Sequence, residues 1–204
     1  MKLGSSIRRR RSGGKKAGSG QKKAGEGKWA SPWTKGTIQF RERLEPIGVY
    51  CAEHWPGDLV EIGCYCGQTT VLFAQIAERY GRRVIAVDPW EVGSANCDGH
   101  EYGEFLKATE PWKHLIDVVR LPSQDPEAIA YLKERELCYA LVDGLHQYEA
   151  AYSDIMAVAH CNGIIAVDDL LWNVDVERAY YDAQADTLRT VVRHELIKEG
   201  YLLP

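Results

Sequence analysis

The 204-residue sequence contains no Cys-x-x-Cys pair and no two histidines at zinc-finger spacing, so its six cysteines (Cys51, Cys64, Cys66, Cys97, Cys138, Cys161) are not expected to build a structural zinc site. It has no uninterrupted apolar run near the ~18 residues that span a bilayer, which leaves no transmembrane helix to expect. It lacks the Gly-x-Gly-x-x-Gly fingerprint, which disfavours a dinucleotide. Residues 1–28 hold almost nothing apolar: they carry ten Lys/Arg against one acid, a charge of +9. Such a segment buries too little surface to offset its ordering entropy and is expected to be disordered. No apolar stretch follows the basic run as it would in a secretory signal, so a cytoplasmic protein with reduced thiols is expected.

What is present is a body of ordinary globular composition. Apolar residues make up 45% of the chain and charged residues 26%, and residues 29–204 carry a charge of −13. Residues 29–204 are read as one domain. Short apolar runs alternate with helical patterns: strands at Asp58–Ile62, Arg83–Asp88, Ile116–Leu121, Leu137–Asp143 and Gly163–Asp168, and helices at Gln68–Tyr80, His100–Thr109, Pro126–Glu134, Gln147–His160 and Val174–Asp186. Thr37–Trp55 reads as a leading helical segment broken by Pro46, and Thr190–Ile197 and Tyr201–Leu203 as closing strands around a Glu199-Gly200 turn. The strands are near-continuous hydrophobic runs, as in a parallel sheet buried on both faces. The expectation is a doubly wound α/β fold: a mostly parallel, Rossmann-like sheet of seven strands with helices on both faces.

In such a sheet ligands bind beyond the carboxyl ends of the strands. Here those ends read Glu61-Ile-Gly63-Cys-Tyr65-Cys-Gly67, Asp88-Pro89-Trp90, Ser123-Gln124-Asp125, Asp143-Gly144-Leu145-His146 and Asp168-Asp169. Gly63 and Gly67 permit a sharp turn and close approach of a ligand. Asp88 is placed to accept from ribose hydroxyls, and Trp90 to stack on a purine. A nucleoside with a positive centre and no phosphate suits this loop, and S-adenosylmethionine has that character. Glu61 either reaches the cofactor's amino group or ties the loop down as a buried acid. Asp143, Asp168 and Asp169 would repel one another unless a cation joins them, and oxygen ligands suit Mg²⁺. The alternative is helix capping by Asp169 and a solvated Asp143. His146 is placed either to take the proton of an acceptor hydroxyl or to bond to backbone as a loop residue. Trp172 is placed to wall an acceptor pocket, and Asn96–Tyr102 reads as a lid.

The combination Val60-Glu-Ile-Gly-Cys-Tyr-Cys-Gly67, Asp88 and Val142-Asp-Gly-Leu-His-Gln-Tyr148 resembles class I S-adenosylmethionine-dependent methyltransferases. Within them it is most similar to the small-molecule O-methyltransferases related to the macrocin and catechol enzymes. The resemblance spans roughly Asp58 to Trp172. It implies cofactor contacts at Glu61, Gly63, Tyr65, Gly67, Asp88, Pro89, Trp90 and Asp143, adenine contacts at Ser123 and Gln124, and metal ligation by Asp143, Asp168 and Asp169. It implies His146 as a base, with Asp143 beside it in the catalytic set. Relatives often carry an acid at the position of Leu145, so that route of deprotonation is closed here.

The leading expectation is Mg²⁺-assisted transfer of a methyl group to a hydroxyl of a small molecule, a sugar or a phenol. Two alternatives stay open: a nucleic-acid methyltransferase that uses the basic arm, and a non-catalytic binding module on the same fold. Nucleic acid is a partner only through residues 1–28, because the −13 body repels it. No membrane partner is expected, and a homo-oligomer stays open.

Overall fold

A computed structural model describes residues 35–91, 97–193 and 197–204 of the chain. The basic segment 1–28 lies outside the described residues. The elements run α1 (Lys35–His54), β1 (Asp58–Ile62), α2 (Gln68–Tyr80), β2 (Val84–Val87), α3 (Glu101–Thr109), a 3-10 turn (Glu110–Leu115), β3 (Ile116–Val119), α4 (Pro126–Lys133), β4 (Leu137–Val142), α5 (Tyr148–Ala157), β5 (Ile164–Val167), α6 (Val174–Thr187), β6 (Thr190–Arg193) and β7 (Gly200–Leu203). They form a seven-stranded sheet in the order β3-β2-β1-β4-β5-β7-β6. The first five strands are mutually parallel, and β7 and β6 close the sheet antiparallel.

Strand residues alternate between two cores, which explains the unbroken apolar runs. Leu59, Val84, Ala86, Tyr139, Leu141 and Ala166 face one side, where they meet Leu44 and Cys51 of α1, Leu72, Phe73 and Ile76 of α2 and Phe105 of α3. Val60, Ile62, Ile85, Val87, Ala140, Val142, Ile165 and Val167 face the other, against Leu132 of α4, Ile155 of α5 and Val176, Ala179 and Tyr180 of α6. The central strands β1, β2, β4 and β5 thus need apolar side chains at odd and even positions alike. Among the described residues no helix is long and apolar enough to cross a membrane.

Two local expectations are corrected. The leading helix is not broken at Pro46, which lies inside α1. Pro46 leaves the carbonyl of Glu42 without its helical partner, but both residues are exposed, so solvent can meet that oxygen. The first closing strand is described over Thr190–Arg193, pairing Thr190 with Leu203 and Arg193 with Gly200, and Ile197 is not in a strand. Residues 194–196 are outside the described residues, as are residues 92–96, which include Asn96 at the start of the expected lid. What is described of that lid turns into α3, with Glu101 accepting from the Asp98 and Gly99 N–H groups at 2.9 Å each.

Candidate functional site

At the carboxyl edge of the sheet, site residues are pinned by backbone bonds to the neighbouring strand. The Asp88 N–H donates to the Val119 carbonyl at 3.2 Å, Gly63 to Val87 at 2.9 Å, Asp143 to Ile62 at 2.8 Å and Asp168 to Val142 at 3.0 Å. This ladder sets four of the positions on one rim before any side chain acts. The rim lies where β1 is flanked by β2 on one side and β4 on the other, the switch point at which open α/β sheets bind ligands.

The loop after β1 is held from three sides. Gly63 sits at φ 90°, and a Cβ there would lie 2.0 Å from the Asp143 carbonyl oxygen, so the loop passes directly over the end of β4. Gly67 sits at φ 81° with Phe105 at 2.8 Å from its notional Cβ. Asp88 lies against the loop: its Oδ2 accepts from the Cys64 and Tyr65 N–H groups at 2.9 and 3.0 Å, and its Oδ1 from the Trp90 N–H at 2.8 Å. The buried Glu61 accepts from the Thr70 hydroxyl, which ties the loop to α2. Burial raises its pKa well above the usual carboxylate range, and the charges of Asp143 and Asp88 push the same way.

Trp90 differs from the expectation of a purine platform. Only 3% of it is exposed; its ring packs on Phe105 and Tyr102 of α3 at 4.6 and 4.9 Å. Its Nε1 donates to the Tyr65 carbonyl at 2.7 Å. The indole therefore braces the loop from the core, and the turn Asp88-Pro89-Trp90 directs the ring inward with Trp90 at φ 46°. Tyr65, at 50% exposure, is the aromatic that the loop presents outward. Tyr65, Trp90 and Asp169 all carry left-handed backbone on this rim, a costly conformation for residues with a Cβ.

On the β4–β5 side, the Asp143, His146 and Asp169 ligand atoms lie within 4.8 Å of one another. His146 Nε2 is 3.2 Å from Asp169 Oδ2 and 3.8 Å from Asp143 Oδ1. A hydrogen bond to Asp143 and the charges of Asp169 and Asp168 raise the pKa of His146. Asp168 is set deeper: Lys198 donates to its Oδ2 and to Asp169 Oδ1, the latter at 3.2 Å. Asp168 Oδ1 is buried with no hydrogen-bond partner. Burial and the neighbouring Asp143 push the Asp168 carboxyl up to about 7, against the pull of Lys198. Burial works against the charge of Lys198, yet Asp168 and Asp169 keep its pKa above the ordinary value. Around this cluster Leu145, Leu171, Trp172 and Val174 stand exposed, Trp172 at 77% with Lys198 Nζ 5.4 Å from its ring centre.

Ser123 and Gln124, beyond β3, meet Asp154 of α5, which is not at a strand end. Gln124 Nε2 lies 2.7 Å from Ser123 Oγ and 2.7 Å from Oδ1 of Asp154 on α5. Asp154 carries a readable signal: it shares the buried face of α5 with Ala151 and Ile155, where an acid is out of place. Lys198 carries none, because it reaches the cluster only through the antiparallel return of β7 beside β5.

Comparison with known proteins agrees with this architecture. Residues 60–170, which contain the loop, Asp88, the Ser123-Gln124 pair, Asp143, His146, Asp168 and Asp169, match the family described as a methyltransferase domain. The chain belongs to that family. Solved methyltransferase structures share the fold of this methyltransferase. The O-methyltransferase NovP superposes with a TM-score of 0.65 at 17% identity, covering 81% of this chain and 79% of NovP. The TDP-rhamnose 3'-O-methyltransferase CalS11, an enzyme of calicheamicin biosynthesis, gives 0.64 at 15% identity over 83% and 80%. An O-methyltransferase from Bacillus cereus in complex with SAH gives 0.55 at 14% over 86% and 84%. No curated protein matches the sequence.

Proposed function

We propose that this methyltransferase moves a methyl group from S-adenosylmethionine to a hydroxyl of a small molecule, a sugar or a phenol, with a divalent cation at Asp143, Asp168 and Asp169. The observation that carries the reading is the convergence on one rim of the Asp88-braced glycine loop and the carboxylate–imidazole cluster. The NovP and CalS11 folds, both O-methyltransferases by name, support the choice of an oxygen acceptor. The donor set suits a dication. The single positive charge of Lys198 is shared between Asp168 and Asp169, and Asp168 Oδ1 is a buried oxygen without a partner. All the first-choice ligand atoms are hard oxygens, as Mg²⁺ prefers. The cofactor supplies an electrophilic methyl on a sulfonium, and the cation would lower the pKa of a bound hydroxyl.

The chain's own residues do the rest. Gly63 and Gly67 let the β1 loop press against the Asp143 backbone and the Phe105 ring, which shapes that end of the crevice, and the Asp88 carboxylate gives it a negative field for a positive centre. His146 Nε2 accepts the hydroxyl proton as the acceptor oxygen bonds to the methyl carbon and the methyl–sulfur electron pair returns to sulfur. Asp169 and Asp143 flank the imidazolium that forms and stabilise it. Leu145 and Trp172 form an apolar and aromatic rim that fits a phenol ring or the CH face of a sugar. Positioning supplies most of the acceleration in a transfer of this kind.

The test is turnover with methyl-labelled S-adenosylmethionine on a panel of sugar nucleotides and phenols, with and without EDTA. Labelled product that disappears with EDTA and returns with Mg²⁺ supports the full reading. Turnover indifferent to EDTA removes the cation, and no labelled product with any hydroxyl acceptor refutes the acceptor class.

A further inference from the structure

Asp154 is the one fully buried acid of α5, and the mechanism above does not use it. Its Oδ1 accepts from Gln124 Nε2, and the Ser123 side chain bonds to the same carboxylate. Burial pushes its carboxyl up to about 6, and the bonds from Ser123 and Gln124 pull the other way, favouring the charged form. An ionised carboxylate only accepts hydrogen bonds. The Gln124 side chain must therefore turn its amide nitrogen inward, where Asp154 and Ser123 Oγ sit 2.7 Å away on either hand. Reversing the amide would set its oxygen against the Asp154 carboxylate.

The consequence is on the other side of the amide. Gln124 Oε1 accepts no hydrogen bond among the described residues, and Gln124 is only partly buried. The amide therefore presents an acceptor outward at the end of β3, on the carboxyl edge that β3 shares with β2 and Asp88. A ligand group that pairs with it must be a donor. The second Asp154 oxygen is also buried without a partner, and Asp154 lines the small pocket shared with Asp143, Gly144 and His146.

We propose that Asp154 is a positioning residue that sets the base specificity of the cofactor. By locking the Gln124 amide with its oxygen outward, it selects a 6-aminopurine, whose exocyclic amino group donates, and rejects a 6-oxopurine, whose oxygen would face Gln124 Oε1. The inference rests on the reading of Ser123 and Gln124 as the edge that meets the cofactor's base.

The experiment is calorimetric titration of the protein with S-adenosylhomocysteine and with its 6-oxo analogue, S-inosylhomocysteine. The wild type should prefer the amino compound by roughly tenfold or more, the size of one hydrogen bond exchanged for a repulsion. Asp154→Leu, which has no acceptor, should bring that ratio to near one. Asp154→Asn, which keeps an oxygen for Gln124 Nε2, should restore it. A merely structural Asp154 would weaken both compounds alike and leave the ratio intact, and that result overturns the proposal. If Asp154→Leu does not fold, Gln124→Leu at its partly exposed position decides: a retained preference overturns the proposal, and a ratio near one supports it. Wild type that binds both compounds equally refutes this inference alone. Wild type that binds neither refutes the cofactor reading beneath it.

Discussion

Replacing Gly63 by alanine probes the contact on which the crevice depends. The new methyl would lie 2.0 Å from the Asp143 carbonyl oxygen and 2.5 Å from its carbonyl carbon. Both are backbone atoms at the end of β4, so relief requires the β1 loop and β4 to separate by more than an ångström. Gly63 and Asp143 are also bonded into the sheet, to Val87 and Ile62, and that separation would disturb those bonds. Gly81 is the internal control. It has positive φ of 65° at the end of α2, and a Cβ there meets nothing within 4 Å. Gly81→Ala should therefore cost only the left-handed backbone penalty, about 1–2 kcal/mol. Gly63→Ala adds overpacking against backbone and the loss of ladder bonds, for a total of about 3–5 kcal/mol. Urea unfolding followed by circular dichroism measures both. Equal losses in the two variants would mean that the loop does not press on β4, and the geometry proposed for the site would be wrong.

Three further outcomes follow from buried charge and from the rim. Asp154 has a folded-state pKa of about 6 against an ordinary 3.8. A raised carboxyl stabilises the fold below the lower value and loses that contribution as pH rises through the upper one. Wild type should thus lose ~1.4 kcal/mol relative to Asp154→Asn between pH 5 and pH 7.5. Thermal melts of the two proteins at both pH values would read this as a gap of about 3–6 °C, and a constant gap would contradict it. Arg189 is buried and donates to the carbonyls of Gly163 at 2.8 Å, Leu202 and Ala159 at 3.3 Å each, and Cys161. Arg189→Met orphans those oxygens and should cost about 3 kcal/mol in chemical denaturation, where a loss under 1 kcal/mol would show that the carbonyls find other partners. Trp172→Ala should raise KM for the acceptor while leaving cofactor affinity unchanged, and a fall in cofactor affinity would place Trp172 on the wrong side of the crevice.

The periodicity of the chain carried most of the fold. β1 and α2 coincide with the runs Asp58–Ile62 and Gln68–Tyr80, because apolar strands followed by glycine turns leave few alternatives. The rim was legible for a related reason: in a parallel sheet every strand delivers its last residue to the same edge, so Asp88, Asp143 and Asp168 meet without any long-range information. Side-chain direction was less accessible. Trp90 turns into the core because a left-handed turn follows Asp88, a backbone feature that a non-glycine residue does not announce. Lys198 joins the acids through the pairing of β7 with β5, which only the assembled sheet reveals. Pro46 was misleading because its cost falls on a carbonyl that faces solvent.

The central claim is that one crevice at the ends of β1, β2, β4 and β5 holds an adenosyl donor beside the acidic cluster. Calorimetry with S-adenosylhomocysteine on wild type and on Asp88→Ala tests it most directly, with circular dichroism to show that the variant is folded. The account predicts one-site binding in the wild type that is lost in the folded variant. Equal affinity in the two proteins would contradict it.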